Sequence, residues 1–188
     1  MIYLASKSPR RRELLKQIRI NFEIIEIEIN EHWDGEEQPH LYVQRMALEK
    51  AHAAKNIIMD NSGFIILAAD TSVVLDNKVL GKAENELQAR EMLLQLSGRR
   101  HYVYSAIAVA TESYEQVVLN SSNVNFRVLS ESEITEYCKT GEPIGKAGGY
   151  AIQGNAAVFI ERIEGSYSGI MGLPLYETAR LLFKYNQD

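Results

Sequence analysis

The run FIILAA at 64–69 constrains the fold more than any other stretch. Six apolar residues in succession leave no wet face, which is the pattern of a strand covered on both sides. Helical patterns flank it. Residues 9–18 place Leu14, Leu15 and Ile18 inward, with Ser8 as N-cap and Pro9 at the first helical position. Residues 39–58 open on Pro39 and carry an apolar stripe of Val43, Ala47, Ala51 and Ala54. The spacing predicts further helices over 84–98, closed by Gly98, and over 130–139, where Ser130 and Glu133 form a capping box. PLYETARLLFKY is a last helix. IYLA (2–5) and FEIIEIEI (22–29) read as strands, and HYVYSAIAVA with the stretch around QVVLNSSNVNFRVL as a strand pair. AGGYAIQG is a loop running into strand, and AAVFIERIEGSY another strand. Strands and helices interleave around one antiparallel-looking middle section, so the class is mixed α/β.

A length of 188 residues suits one domain, or two small lobes sharing a core. No apolar run approaches the roughly 18–20 residues of a membrane span. MIYLASKSPRR puts apolar residues before basic ones, the reverse of a secretory signal. The single cysteine, Cys138, excludes an internal disulfide framework and a cysteine-based zinc site. A cytoplasmic protein without a membrane partner is expected. The net charge of −5 argues against a general nucleic-acid binder. Any anion must therefore be held by a local cluster of cations.

SKSPRRRELL (6–15) is such a cluster. A helix N-terminus carries about half a positive charge and normally attracts acidic side chains. Here it carries three arginines, so something negative should sit there. Ser6 and the forked guanidiniums could hold phosphate. A solvated surface helix with an untidy charge pattern is the competing reading. No Walker loop occurs. Asp70 follows the buried run, where α/β proteins place catalytic carboxylates; a turn-capping aspartate is the alternative. Lys50 shares a helix face with Met46 and Ala54, and a lone lysine there commonly snorkels. Gly81-Lys82 and Lys146 before the Gly-rich loop add further positive charge. Glu31, in an acidic loop, could join Asp70 around a hard cation, or be merely solvated. The four histidines show no metal-ligand spacing, and Trp33, Tyr150 and Tyr167 read as packing.

Taken together, SKSPRRRELL, LEKA, AADT, GK at 81–82, LSG with H-x-V, KAGGYAIQG and GLPL resemble the Maf family of nucleoside triphosphate pyrophosphatases, once described as septum-formation inhibitors. The matches keep their order from residue 3 to about 180. The resemblance implies a single domain over 1–188 with a two-lobed α/β fold similar to the inosine-triphosphate pyrophosphatases, a mixed central sheet and a nucleotide cleft between lobes. It implies hydrolysis of a nucleoside triphosphate to the monophosphate and pyrophosphate, assisted by Mg²⁺ or Mn²⁺ on Asp70 and Glu31. Asp70 would be the catalytic base, and Ser6, Arg11, Lys50 and Lys82 the phosphate ligands. Arg10, Thr71 and Gln153 match the branch preferring dTTP and UTP; relatives acting on 7-methyl-GTP typically carry Trp, Gln and Glu there. Gln153 offers a donor and an acceptor, as a uracil or thymine edge requires. Arg12 is expected to be a solvated helix residue. Modified pyrimidine nucleotides, 7-methyl-GTP, and a cell-division regulator with little hydrolysis are the rival readings, and a homodimer is left open. Ala83 stands where the family usually has Pro. Ser105-Ala106 replaces Thr-Gly or Thr-Ala, and Gly145 replaces a common Asp, which would loosen the loop carrying Lys146.

Overall fold

The apolar run becomes part of β3 (Ile65–Leu75), a strand that passes straight through Asp70-Thr71-Ser72. The computed structural model describes residues 1–58 and 63–185. β3 pairs in parallel with β1 (Ile2–Ala5), which pairs in parallel with β2 (Glu23–Ile25). On its other side β3 pairs antiparallel with β5 (Arg100–Ala110), β5 with β6 (Glu115–Phe126), and β6 with β7 (Ile160–Glu164). β4 (Lys78–Leu80) folds back on the far end of β3. The result is one seven-stranded mixed sheet in the order β2-β1-β3-β5-β6-β7, with β4 beside β3. The mixed α/β expectation holds.

Strand alternation explains the unbroken hydrophobicity of 64–69. Ile66 and Ala68 face α2 (Pro39–Ile57) through its Val43, Ala47, Ala51 and Ala54. Leu67 and Ala69 face the opposite way, toward Leu14 and Leu15 of α1 (Pro9–Gln17) and Leu181 and Leu182 of α6 (Leu175–Tyr185). Beyond Ser72 the same strand enters a third cluster. There Val73 and Leu75 pack with Leu93 and Leu96 of α3 (Glu86–Leu96) and Ile134 and Tyr137 of α4 (Glu131–Lys139). β3 and β5 thus thread both halves of the molecule, and Asp70-Thr71 lies at the joint. α5 (Tyr167–Met171) sits beside that joint against β5 and β6. Among the described residues no helix is long and apolar enough to cross a membrane.

Several elements differ from the sequence reading. FEIIEIEI pairs only over 23–25, because four-residue β1 offers no partner beyond Ala5. The stretch 155–159 is a 3-10 turn, since the Glu142 carboxylate accepts the N–H groups of Asn155 (2.9 Å) and Ala156 (3.5 Å). AGGYAIQG forms turns and no strand, and the strand expected over AAVFIERIEGSY is confined to Ile160–Glu164, with its last residue, Tyr167, opening α5. Ser8 occupies the N-cap of α1 without a side-chain cap bond. Its N–H instead donates to Ser6 Oγ at 3.2 Å. The capping box of α4 forms as expected.

Candidate active site

β1 ends at Ala5, level with Ala68, and the chain then turns away into α1. β3 continues, so its next residues lose their β1 partner and border an open cleft of about 520 Å³. The cleft gathers all nine side chains singled out above: Ser6, Arg10, Arg11, Glu31, Lys50, Asp70, Thr71, Lys82 and Gln153. Asp70 therefore lies mid-strand, and it makes no turn cap. Among the described residues the lining carries six cations, Lys7, Arg10, Arg11, Lys50, Lys82 and Lys146, against two acids, Glu31 and Asp70, a positive basin in a chain of net charge −5 even though Lys7 also pairs with Glu28. Such a basin focuses a polyanion.

The floor is an ion-pair relay. Lys50 comes off the apolar stripe of α2 and stays buried instead of snorkelling. Its Nζ lies 2.6 Å from Asp70 Oδ1 and 2.7 Å from Glu31 Oε1. Glu31 Oε2 meets Lys82 Nζ at 2.5 Å. Burial alone would raise the Glu31 carboxyl, yet Lys50 and Lys82 overcome it and hold the group down at about 2. Both carboxylates are thus fixed on one ammonium. Among the described residues no three His, Cys, Asp or Glu side chains are grouped to hold a metal. The donor set is two carboxylates, which suits a hard cation completed by a ligand's own oxygens.

Arg11 is held from three directions. Nε donates to Gly172 O at 2.8 Å, Nη1 to Ser6 Oγ at 3.2 Å and Nη2 to Thr71 Oγ1 at 3.4 Å. Burial pulls its pKa down, Asp70 pushes it up and neighbouring Arg10 lowers it again. Ser6 Oγ accepts from both Arg11 and the Ser8 N–H, so its own hydrogen remains to donate. Among the described residues the Arg10 and Gln153 side chains line the cleft without a side-chain hydrogen bond. Arg12 departs from expectation: it is half-buried and its Nη2 reaches Lys7 O at 3.4 Å, bracing the loop that holds Ser6.

The second wall is stitched by backbone. Ala83 N–H donates to Lys146 O (3.2 Å), Gly145 N–H to Ala83 O (2.7 Å) and Gly148 N–H to Gly81 O (3.1 Å). A proline at 83 would lack the first of these bonds. Gly145 has φ +72°, a conformation glycine adopts freely, so it fits the loop rather than loosening it. A Cβ on Gly148 would come within 2.8 Å of Val73 Cγ1. Lys82 bridges Ala147, so the segment carrying Lys82 is held against the loop carrying Lys146, and both lysines line the cleft.

The Maf-like protein family model matches residues 1–185. The chain belongs to the Maf family. It is 47% identical to a dTTP/UTP pyrophosphatase of Alkalilimnicola ehrlichii, over all of this chain and 94% of that one. It is 50% identical to a dTTP/UTP pyrophosphatase of Methylobacillus flagellatus, over 96% and 90% of the two chains. A Xylella fastidiosa protein called nucleoside triphosphate pyrophosphatase is 46% identical over the full length of both. In this Maf protein the structure adds residues that sequence reasoning did not place in the site. Ser105, fully buried, touches Thr71 Oγ1 at 2.9 Å and Gly169 O at 2.6 Å. Its signals were a hydroxyl in the otherwise apolar run SAIAVA and its place where the family usually has Thr. The Gly172 carbonyl, which anchors Arg11, left no side-chain signal at all.

Proposed function

We propose that this chain is a nucleoside triphosphate pyrophosphatase that hydrolyses dTTP and UTP to the monophosphate and pyrophosphate. The observation that carries the reading is the pair Asp70 and Glu31, held on Lys50 at the floor of a cleft whose other charged lining residues, among those described, are cations. Relatives at 46–50% identity over nearly the whole chain bear the same activity in their names.

The reaction adds water at the α-phosphorus and breaks the bond to the oxygen bridging to the β-phosphorus. Asp70 Oδ1 is taken by Lys50, which leaves Oδ2 to accept the water's proton. Arg11, Lys82 and the Ser6 hydroxyl hold the triphosphate and offset charge growing on the departing pyrophosphate. Arg11 keeps two unused N–H groups, one on each terminal nitrogen, for paired phosphate oxygens. Glu31 and Asp70 would hold Mg²⁺ or Mn²⁺, which supplies charge neutralisation and a more acidic water. Gln153 and Arg10 have polar groups free to meet the base. The enzyme would work in the cytoplasm, with its nucleotide substrates.

A nucleotide panel tests the reading. Pyrophosphate release under saturating Mg²⁺ should be well ahead with dTTP and UTP, against 7-methyl-GTP and the purine triphosphates. A preference for 7-methyl-GTP would overturn the substrate assignment. No release from any nucleotide would overturn the activity.

A further inference from the structure

Ser105 Oγ has a single hydrogen and no access to water. Two oxygens lie within reach: Gly169 O at 2.6 Å and Thr71 Oγ1 at 2.9 Å. A carbonyl only accepts, so the Ser105 hydrogen goes to Gly169. The contact with Thr71 must then be donated by Thr71. The Thr71 hydrogen has two acceptors in reach, Ser105 Oγ at 2.9 Å and Gly172 O at 3.4 Å, and goes to the nearer one, which would otherwise meet Thr71 lone pair to lone pair; the Thr71 lone pairs stay free to accept from Arg11 Nη2 at 3.4 Å. The direction of every bond follows: Arg11 donates to Thr71, Thr71 to Ser105, and Ser105 to the Gly169 carbonyl. Gly169 belongs to α5, and Gly172, which accepts directly from Arg11 Nε, caps it. Both arms therefore hang the guanidinium from the same short helix.

We propose that Ser105 is a positioning residue for Arg11, acting through Thr71, and that this chain of hydroxyls fixes the guanidinium fork for the phosphates. The proposal rests on the phosphate-binding role given to Arg11 above. Chains of aligned hydrogen bonds polarise one another, so the far end of the chain stiffens the near end.

Ser105→Ala and Thr71→Val each remove one hydroxyl, and the second keeps the side-chain shape. Each is made alone and in an Arg11→Lys background. KM and kcat for UTP are measured, together with calorimetric affinity for inorganic tripolyphosphate. Each single variant should weaken tripolyphosphate and raise KM roughly tenfold, the scale of a lost charge-assisted hydrogen bond. In the Arg11→Lys background the same changes should cost under about twofold, because the group they position is gone. Thr71→Ser, which keeps the hydroxyl, should stay within about twofold of wild type. Equal losses in both backgrounds would make Ser105 merely structural and overturn the proposal, as would unchanged binding in the single variants. If Ser105→Ala does not fold, Thr71→Val carries the same comparison at a half-buried site. A wild type that binds tripolyphosphate and responds as expected, yet cleaves no nucleotide, would sink the pyrophosphatase reading and leave the tether standing. A wild type that neither binds tripolyphosphate nor cleaves any nucleotide overturns both.

Discussion

His101 sits 1% exposed between Phe126 and Tyr150, edge-on to both rings. Its Nε2 meets Tyr150 OH at 2.8 Å, and its buried Nδ1 has no partner. Among the described residues no carboxylate accompanies it, and burial pushes its pKa down to about 4. In the unfolded chain a histidine titrates near 6.5. Between those two values the unfolded state binds the extra proton and the folded state does not. Stability therefore falls as the pH drops below about 6.5, and the loss is complete once it passes about 4. From the two midpoints the loss is about 2 kcal/mol at pH 5 and about 3 kcal/mol at pH 4. For a chain of this size about 2 kcal/mol corresponds to roughly 4–8 °C in Tm.

His101→Phe isolates this contribution, because it keeps an aromatic ring and removes the titrating group. It leaves the Tyr150 hydroxyl buried without its partner, so it should start about 1–3 kcal/mol less stable at pH 7.5. Its stability should then change less with pH than that of wild type. Urea unfolding at pH 7.5 and pH 5 gives the test: wild type should lose about 2 kcal/mol more than the variant across that interval. Parallel pH slopes, or an imidazole midpoint near 6.5 by NMR, would refute the reasoning.

Asp70→Asn should keep the fold and lose at least roughly 10²-fold in kcat, the scale of a missing general base; near wild-type turnover would remove Asp70 from the chemistry. Lys50→Met strands the buried Asp70 carboxylate, while Glu31 keeps Lys82, and should cost about 3–5 kcal/mol at neutral pH by denaturant unfolding. Adding Asp70→Asn should recover a large part of that, and a deficit unchanged in the double variant would contradict the relay. Gly148→Ala meets both φ +65° and a Val73 methyl at 2.8 Å, so it should lower stability by at least about 1–2 kcal/mol and raise KM by shifting the Lys146 loop; a thermal midpoint equal to wild type would show that the wall relaxes freely.

How far the sequence reached depends on the range of the signal. Alternation and stripe patterns are local, so β3, α1, α2 and the β5–β6 pair were legible from FIILAA, Leu14-Leu15, Val43 to Ala54 and HYVYSAIAVA. The extent of a strand depends on its partners. β2 stops at Ile25 because β1 runs out, and β3 crosses a polar triplet because Asp70, Thr71 and Ser72 have Ala106, Ser105 and Tyr104 alongside. Neither fact is written in the strand's own residues. The site shows the same division. Its side chains were named from motifs, and the cleft gathers every one of them. Their couplings were not visible: Lys50, expected to bind phosphate, is taken up by Asp70 and Glu31; Arg12, expected to be solvated, braces Lys7 O; and Ser105 stood out only as a departure from the family's usual Thr.

The arginine cluster at 10–12 now divides by contact. Arg10 points into the cleft unbonded, Arg11 is tethered, and Arg12 braces Lys7 O. No acid stands in the first turn of α1, so the helix dipole opposes all three, by roughly 0.3–1 kcal/mol each at most. Burial, dipole and mutual repulsion all favour losing a proton, and burial already lowers the pKa of Arg10 and Arg11. Arginine tolerates this because its pKa starts above about 12. A lysine starts about two units lower, and across the cleft Lys146 is already lowered by burial and by Arg10. Arg11→Lys should therefore lose more than the fork. The ratio of its tripolyphosphate affinity to that of wild type should fall as the pH rises from 7 to 9, because the substituted ammonium discharges where the guanidinium does not. The ratio cancels the pH effects that both proteins share. A ratio constant over that range would mean that the site selects arginine for its geometry alone.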